Sequence, residues 1–251
     1  MGTTIPEGGV NEGMQLLETL SRSPATAHFI AVKLARRFVA DDPPESLVRA
    51  MAKSFTDSDG DIKVVLRTMF RSREFQSSAA WRKKMKTPLE FTASALRATG
   101  AQVQNPQPLV QALNKMGMPL YQMQPPTGYS TRATAWMNSD ALPERLNFAV
   151  SLTTGQLGGT NCDPLRVLAL GLMARSPREE IVPVNTSGGA AAAITLVEDA
   201  LIGGTLSVES DHAIRKSLED PQIAGHMLED PARILGTVVG LTLGSPEFQV
   251  R

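Results

Sequence analysis

Eight times in this chain a Ser, Thr or Asp stands directly before a proline: Ser23-Pro24, Asp42-Pro43, Thr87-Pro88, Asp163-Pro164, Ser176-Pro177, Asp220-Pro221, Asp230-Pro231 and Ser245-Pro246. A short side-chain oxygen just before a helix accepts from the free N–H groups of the first turn. Proline in the first helical position loses nothing, because its missing N–H would have had no partner there. Each pair is followed by a helical pattern or a short turn of one, and Asn105-Pro106 repeats the device. Thr87-Pro88-Leu89-Glu90 is also a capping box, with Glu90 placed to reach back to Thr87. Glycines mark stops: Gly100 follows the helix carrying Phe91, Ala95 and Leu96, and Gly117 follows the one carrying Leu109, Val110, Leu113 and Met116.

These signals predict helices over 11–21, 24–39, 44–55, 61–71, 88–98, 106–116, 140–153, 164–174, 188–202, 208–219 and 231–243. In 24–39, Ile30, Leu34 and Phe38 recur at i, i+4 and i+8 and predict a buried stripe. Aromatic residues make up only 5% of the chain, and Val, Ile and Thr nowhere alternate with polar residues over a strand's length. The expected fold is all-α, a multi-helix globular array over 1–251 with one long aromatic and Pro-rich loop. Leu66–Gln76 echoes Val239–Gln249: both run into Ser-x-Glu-Phe-Gln, a helix that stops at serine and restarts for one turn, with a Phe able to fold back onto the core. No period of 20–50 residues recurs, so the echo does not make a solenoid. The expectation is therefore a single unit, with two helical lobes as the alternative the echo offers and the Gly-rich stretch 155–163 as their boundary.

Charge and length narrow the partners. Lys and Arg number 25, Asp and Glu number 25, and the two signs interleave. A domain that holds nucleic acid by its phosphates is normally basic, so that class is set aside. At 251 residues the chain buries enough surface to need no staples, and its single cysteine, Cys162, allows no intrachain disulfide. No apolar run approaches the roughly 18 residues that span a membrane. Residues 1–9 lack the basic and apolar regions of an export signal, so an exported protein would carry its signal outside these residues.

Several constellations suggest sites. Lys33 and Arg37 lie one helical turn apart and could meet a phosphate, sulfate or carboxylate together; the alternative is a solvated face opposite the stripe. Arg36 or Arg37 could also latch onto Asp41 or Asp42. The loop 117–139 holds Tyr121, Tyr129 and Trp136 among Pro119, Pro125, Pro126 and Gly128, with Asn138 and Arg145 following. Such rings either line a groove for a sugar, a peptide or a partner helix, or plug the core. Asp57-Ser58-Asp59-Gly60-Asp61 fails as an EF-hand loop, since Gly falls at position 4 and Thr68 at position 12, and reads better as acid at a helix start. His28, His212 and His226 lie far apart and, with Cys162, show no metal-ligand spacing, so no metal or cofactor is expected. A nucleophilic Cys162–His pair has no third orienting group in view. Ser187-Gly188-Gly189-Ala190 matches no phosphate-binding motif and reads as close helix packing.

Ser23 to Val39 followed by Asp41-Asp42-Pro43-Pro44 resembles a widespread bacterial family of unknown function, number 1800 in the domain-of-unknown-function series. Asp59-Gly60-Asp61-Ile62, Lys86 to Phe91, Pro125 to Tyr129, Trp136-Met137-Asn138 leading to Arg145, and Ser245 to Gln249 are similar to it as well. The resemblance implies that the chain is the C-terminal portion of a longer protein. It further implies a periplasmic or exported setting, with the cytoplasm as the alternative, beside an exported sulfatase-like partner protein. It brings no activity, cofactor or catalytic residue.

The expected function is a non-catalytic binding or scaffolding module of the bacterial cell envelope that acts with a partner protein. The rival is a hydrolase or transferase acting on an envelope polymer, with a cleft near 117–145 lined by Lys33, Arg37, Tyr129, Trp136, Asn138 and Arg145. A third reading has this chain supply half of a site that an N-terminal portion completes.

Overall fold

A computed structural model of the chain describes residues 4–174, 189–204, 206–218 and 231–251. It contains twelve α-helices among those residues: α1 Val10–Ser21, α2 Pro24–Phe38, α3 Glu45–Asp57, α4 Ile62–Phe70, α5 Pro88–Thr99, α6 Gln107–Lys115, α7 Ala141–Thr153, α8 Pro164–Ala174, α9 Gly189–Leu201, α10 Val208–Leu218, α11 Pro231–Gly244 and α12 Pro246–Gln249. Every predicted helix is present, and its ends fall within two residues of the expected ones. The exceptions to helix are small. Gln102 and Val103 pair antiparallel with Asn161 and Thr160, and Met85 bridges Val250.

Several caps work as the sequence predicts. Ser23 accepts from the N–H of Ala25, Asp163 from Leu165, and Asn105 from Gln107. Thr87 and Glu90 close their box, with the Thr87 N–H donating to Glu90 Oε2 at 2.9 Å. Gly100 ends α5 in the left-handed conformation at φ 63°, a region that costs glycine nothing. Asp42 does not cap α3: Pro44 occupies the residue before Glu45, so the helix starts one proline later than the dipeptide suggests. Ser176-Pro177, Asp220-Pro221 and Asp230 lie outside the described residues, as do Ser187 and Gly188.

The chain divides into two compact units, Met1–Lys84 and Met85–Arg251. The Gly-rich stretch 155–163 lies inside the second. In the first unit, α2 packs on α3 and α3 on α4. The stripe that α2 buries is Ala27, Ala31 and Ala35, continued by Val39, and not Ile30, Leu34 and Phe38. Small residues let the backbones of α2 and α3 approach closely, so Ile30 and Leu34 flank the core half-buried, and Phe38 is left at an edge, stacked edge-on against Phe70. Leu47, Val48, Met51, Phe55, Val65 and Met69 complete this core. Lys84 is buried and pairs with Asp41, while Arg36 donates to the Asp41 carbonyl at 3.0 Å. The expected latch at Asp41 thus exists, with Lys84 taking the carboxylate.

In the second unit, α7 packs against α11 and α8 against α9. Glycines permit both crossings. A Cβ at Gly171 of α8 would stand 2.0 Å from the carbonyl oxygen of Leu196, and one at Gly236 of α11 would stand 2.4 Å from that of Thr153. Phe248 of α12 folds into the core against Phe91, as the echo predicts, and Phe75 in the first unit meets Phe70. The glutamates of the two echoes also act alike. Glu74 accepts from Ser46 in the first turn of α3, and Glu247 accepts from the N–H of Ser207 and the hydroxyl of Ser210 at the start of α10.

Burial alone would push the Glu247 carboxyl up. The hydrogen bonds from Ser207 and from its own backbone outweigh that and hold it at about 2. A depressed folded-state value contributes stability that is whole above the ordinary carboxylate range and is lost as pH falls towards 2. Allowing for partial exposure, the loss is about 2 kcal/mol. Urea midpoints measured from pH 6 down to pH 2.5 are expected to fall more steeply for the wild type than for Glu247→Gln. Parallel curves would show that the carboxylate does not hold α10.

Candidate functional site

Arg145 lies at the centre of the second unit. On α7 it shares a face with Phe148, Ala149 and Leu152, so a guanidinium occupies a position that the helix's own periodicity assigns to the core. It is 0% exposed. Its Nη2 donates to the Lys86 carbonyl at 2.9 Å, its Nη1 reaches Gln249 Oε1 at 3.4 Å, and its carbon centre lies 5.4 Å from the Phe91 ring. Its Nε has no hydrogen-bond partner. Desolvation alone lowers its pKa to about 10, so it keeps its charge at neutral pH in contact with neutral oxygens.

Those oxygens belong to two segments that Arg145 ties together. Lys86 N–H donates to the Gln249 carbonyl at 2.8 Å, and Lys86 Nζ donates to the Phe248 carbonyl at 2.6 Å while resting 3.8 Å over the Phe248 ring. Gln249 Nε2 in turn donates to the Gly244 carbonyl, and Arg251 pairs with Glu90 at 2.8 Å. Sequence alone does not mark Lys86, Glu90 and Gln249 as site residues. The available signal is the arginine on the apolar face of α7, which requires polar partners from elsewhere in the fold.

The remaining candidates take other positions. Asn138 accepts from the N–H of Ala141 at 2.7 Å and of Asp140 at 3.2 Å, which makes it the cap of α7. Trp136 is buried, donates from Nε1 to the Ser130 carbonyl at 2.9 Å, and packs 6.0 Å from the Tyr129 ring. Tyr129 donates to the Pro119 carbonyl. These two rings close the loop on itself. Tyr121 alone projects fully into solvent, at a positive φ of 60°. Lys33 and Arg37 belong to the first unit; Lys33 is exposed, its ammonium 5.3 Å from the Phe29 ring.

The second unit also has a cavity of about 460 Å³ at the C-terminal end of α7. Thr153, Thr154, Gln156, Cys162, Pro164 and Arg233 are among its walls, and none of the seven candidates lines it. Burial pushes the Cys162 thiol up; a hydrogen bond with Thr99 offsets part of this and Asp163 adds to it. A thiol held protonated is a weak nucleophile. Alkylation by iodoacetamide at pH 8 is expected to be at least about tenfold slower than for free cysteine. A rate at or above the free-cysteine value would instead mark Cys162 as activated.

Among the described residues no three His, Cys, Asp or Glu come together to hold a metal ion. His28 and His212 are exposed in different units, and His226 lies outside the described residues. The acidic run 57–61 is dispersed: Asp57 pairs with Lys53, Asp59 lies 3.4 Å from Arg22, and Asp61 caps α4 through the N–H of Lys63. No helix among the described residues is long and apolar enough to cross a membrane.

Fold and site together define an all-helical protein of two units, whose buried arginine ties two distant segments of the second. Residues 1–250 match the family described as "Protein of unknown function (DUF1800)", and the chain belongs to it. No curated protein and no solved structure matches the chain.

Proposed function

We propose that the chain is a binding or scaffolding module of the bacterial cell envelope that works with a partner protein. The observation that supports this reading is α1. It buries none of its twelve residues, and Val10, Met14, Leu16, Leu17 and Leu20 are 36–84% exposed. Val10, Met14 and Leu17 follow one another at helical spacing, which makes an apolar stripe of the kind a partner covers. Arg145, Asn138 and Trp136 are committed to holding the fold, which weakens the case for a polymer-cleaving cleft in the 117–145 loop. The envelope setting and the sulfatase-like partner come from the family resemblance.

The test is affinity purification from envelope extract at native expression, comparing the wild type with Met14→Asp/Leu17→Asp. A partner in stoichiometric amount is expected with the wild type and not with the variant. The variant's melting temperature is expected to stay within about 2 °C, since solvent-exposed changes outside a core cost little. Recovery of no stable partner would overturn the reading.

A further inference from the structure

The two units differ in how they distribute charge, and one segment of the first stands out. Residues 67–84 carry six Lys or Arg (Arg67, Arg71, Arg73, Arg82, Lys83 and Lys84) and one carboxylate, Glu74, in a chain whose total is zero. Glu74 is engaged by Ser46, and Lys84 is buried against Asp41. Arg67, Arg71, Arg73 and Lys83 are exposed. The segment after α4 is built from consecutive turns held by Ser72, Gln76 and Ser77. It carries Trp81, which is 71% exposed with the Arg82 guanidinium 5.6 Å from its ring. The other tryptophan, Trp136, is buried.

We infer that this segment is a docking surface for an anionic lipid bilayer, with Trp81 seated at headgroup level and the segment's exposed cations meeting acidic headgroups. An exposed indole beside arginine and lysine is the side-chain combination that settles at a membrane interface. Basic residues near such a surface gain attraction from its negative potential. A lipid surface fits better than a soluble polyanion. Besides charge, the segment offers apolar area, in Trp81 and in Phe70 at its start (42% exposed), that a bilayer removes from water and a soluble polyanion does not. This inference is independent of the α1 reading, because it needs no partner protein and rests on other residues.

The experiment uses the whole chain with vesicles of phosphatidylcholine alone or with about one quarter phosphatidylglycerol, read by co-sedimentation and by tryptophan emission. Binding and a blue shift are expected with the anionic vesicles only, weakening as salt rises. Lys83→Gln and Arg73→Gln should each weaken binding by about fivefold. Trp81→Phe should abolish the blue shift, since Trp136 is already buried. All three positions are exposed, and thermal melts will confirm that the variants fold. Equal binding to neutral vesicles, no binding, or unchanged affinity in the charge variants would overturn the inference. So would binding to soluble heparin without binding to vesicles, which would assign the surface to a polymer.

Discussion

Gly171→Ala should destabilise the protein by about 3 kcal/mol or more, although it adds one methyl group and replaces a poor helix former with a good one. The added Cβ would meet the Leu196 carbonyl oxygen at 2.0 Å and its carbonyl carbon at 2.8 Å. Both atoms are backbone in the middle of α9, so no rotamer change relieves the clash. The two helices must separate, and the packing of Val167, Ile194 and Val197, all nearly inaccessible, loosens with them. For a chain of this size the melting temperature should fall by roughly 10 °C. Gly13→Ala is the control. It lies inside α1 with nothing within 4 Å of the added atom, and propensity alone predicts a gain of up to about 1 kcal/mol. If the two variants melt together, the close crossing of α8 and α9 is wrong.

The second large effect concerns Arg145. Arg145→Ala should cost about 3–5 kcal/mol. It leaves a cavity against Phe91 and removes the donors that satisfy the Lys86 carbonyl and Gln249 Oε1. Arg145→Met separates the two contributions. Methionine restores most of the volume and avoids burying a charge, so it should recover part of the loss and leave a deficit of about 1–3 kcal/mol from the orphaned acceptors. Denaturant midpoints of the three proteins measure this directly. If Arg145→Ala has wild-type stability, the guanidinium is not the tie between the two segments and its functional candidacy reopens.

What the sequence made legible was the part that depends on neighbours along the chain. A cap needs a side-chain oxygen and an N–H two or three residues on, so Ser23, Thr87, Asn105 and Asp163 could be read one helix at a time. What depends on the approach of distant backbones could not. The alanine stripe of α2 was hidden because hydrophobicity favours Ile30, Leu34 and Phe38, whereas close packing against α3 selects for small side chains. Arg145 was visible as a residue but not as a tie, because its partners stand 59 and 104 residues away. The rings of Tyr129 and Trp136 fit two readings in sequence, and their hydrogen bonds to the Pro119 and Ser130 carbonyls decide between them.

The echo shows what local similarity can carry. In each unit the Ser-x-Glu-Phe-Gln run places its glutamate against a serine near the start of another helix, its phenylalanine against aromatic neighbours, and its glutamine against a carbonyl near the end of the preceding helix. The same short phrase therefore performs the same three tasks twice.

Helix α1 has the opposite character. Since none of its side chains fills space inside the first unit, mutation can alter its leucines and methionine without disturbing the interior, and only an outside surface can select among the variants. Comparing how fast substitutions accumulate in α1 and in the neighbouring α2 across related organisms would reveal whether such a surface has been present throughout the history of the family.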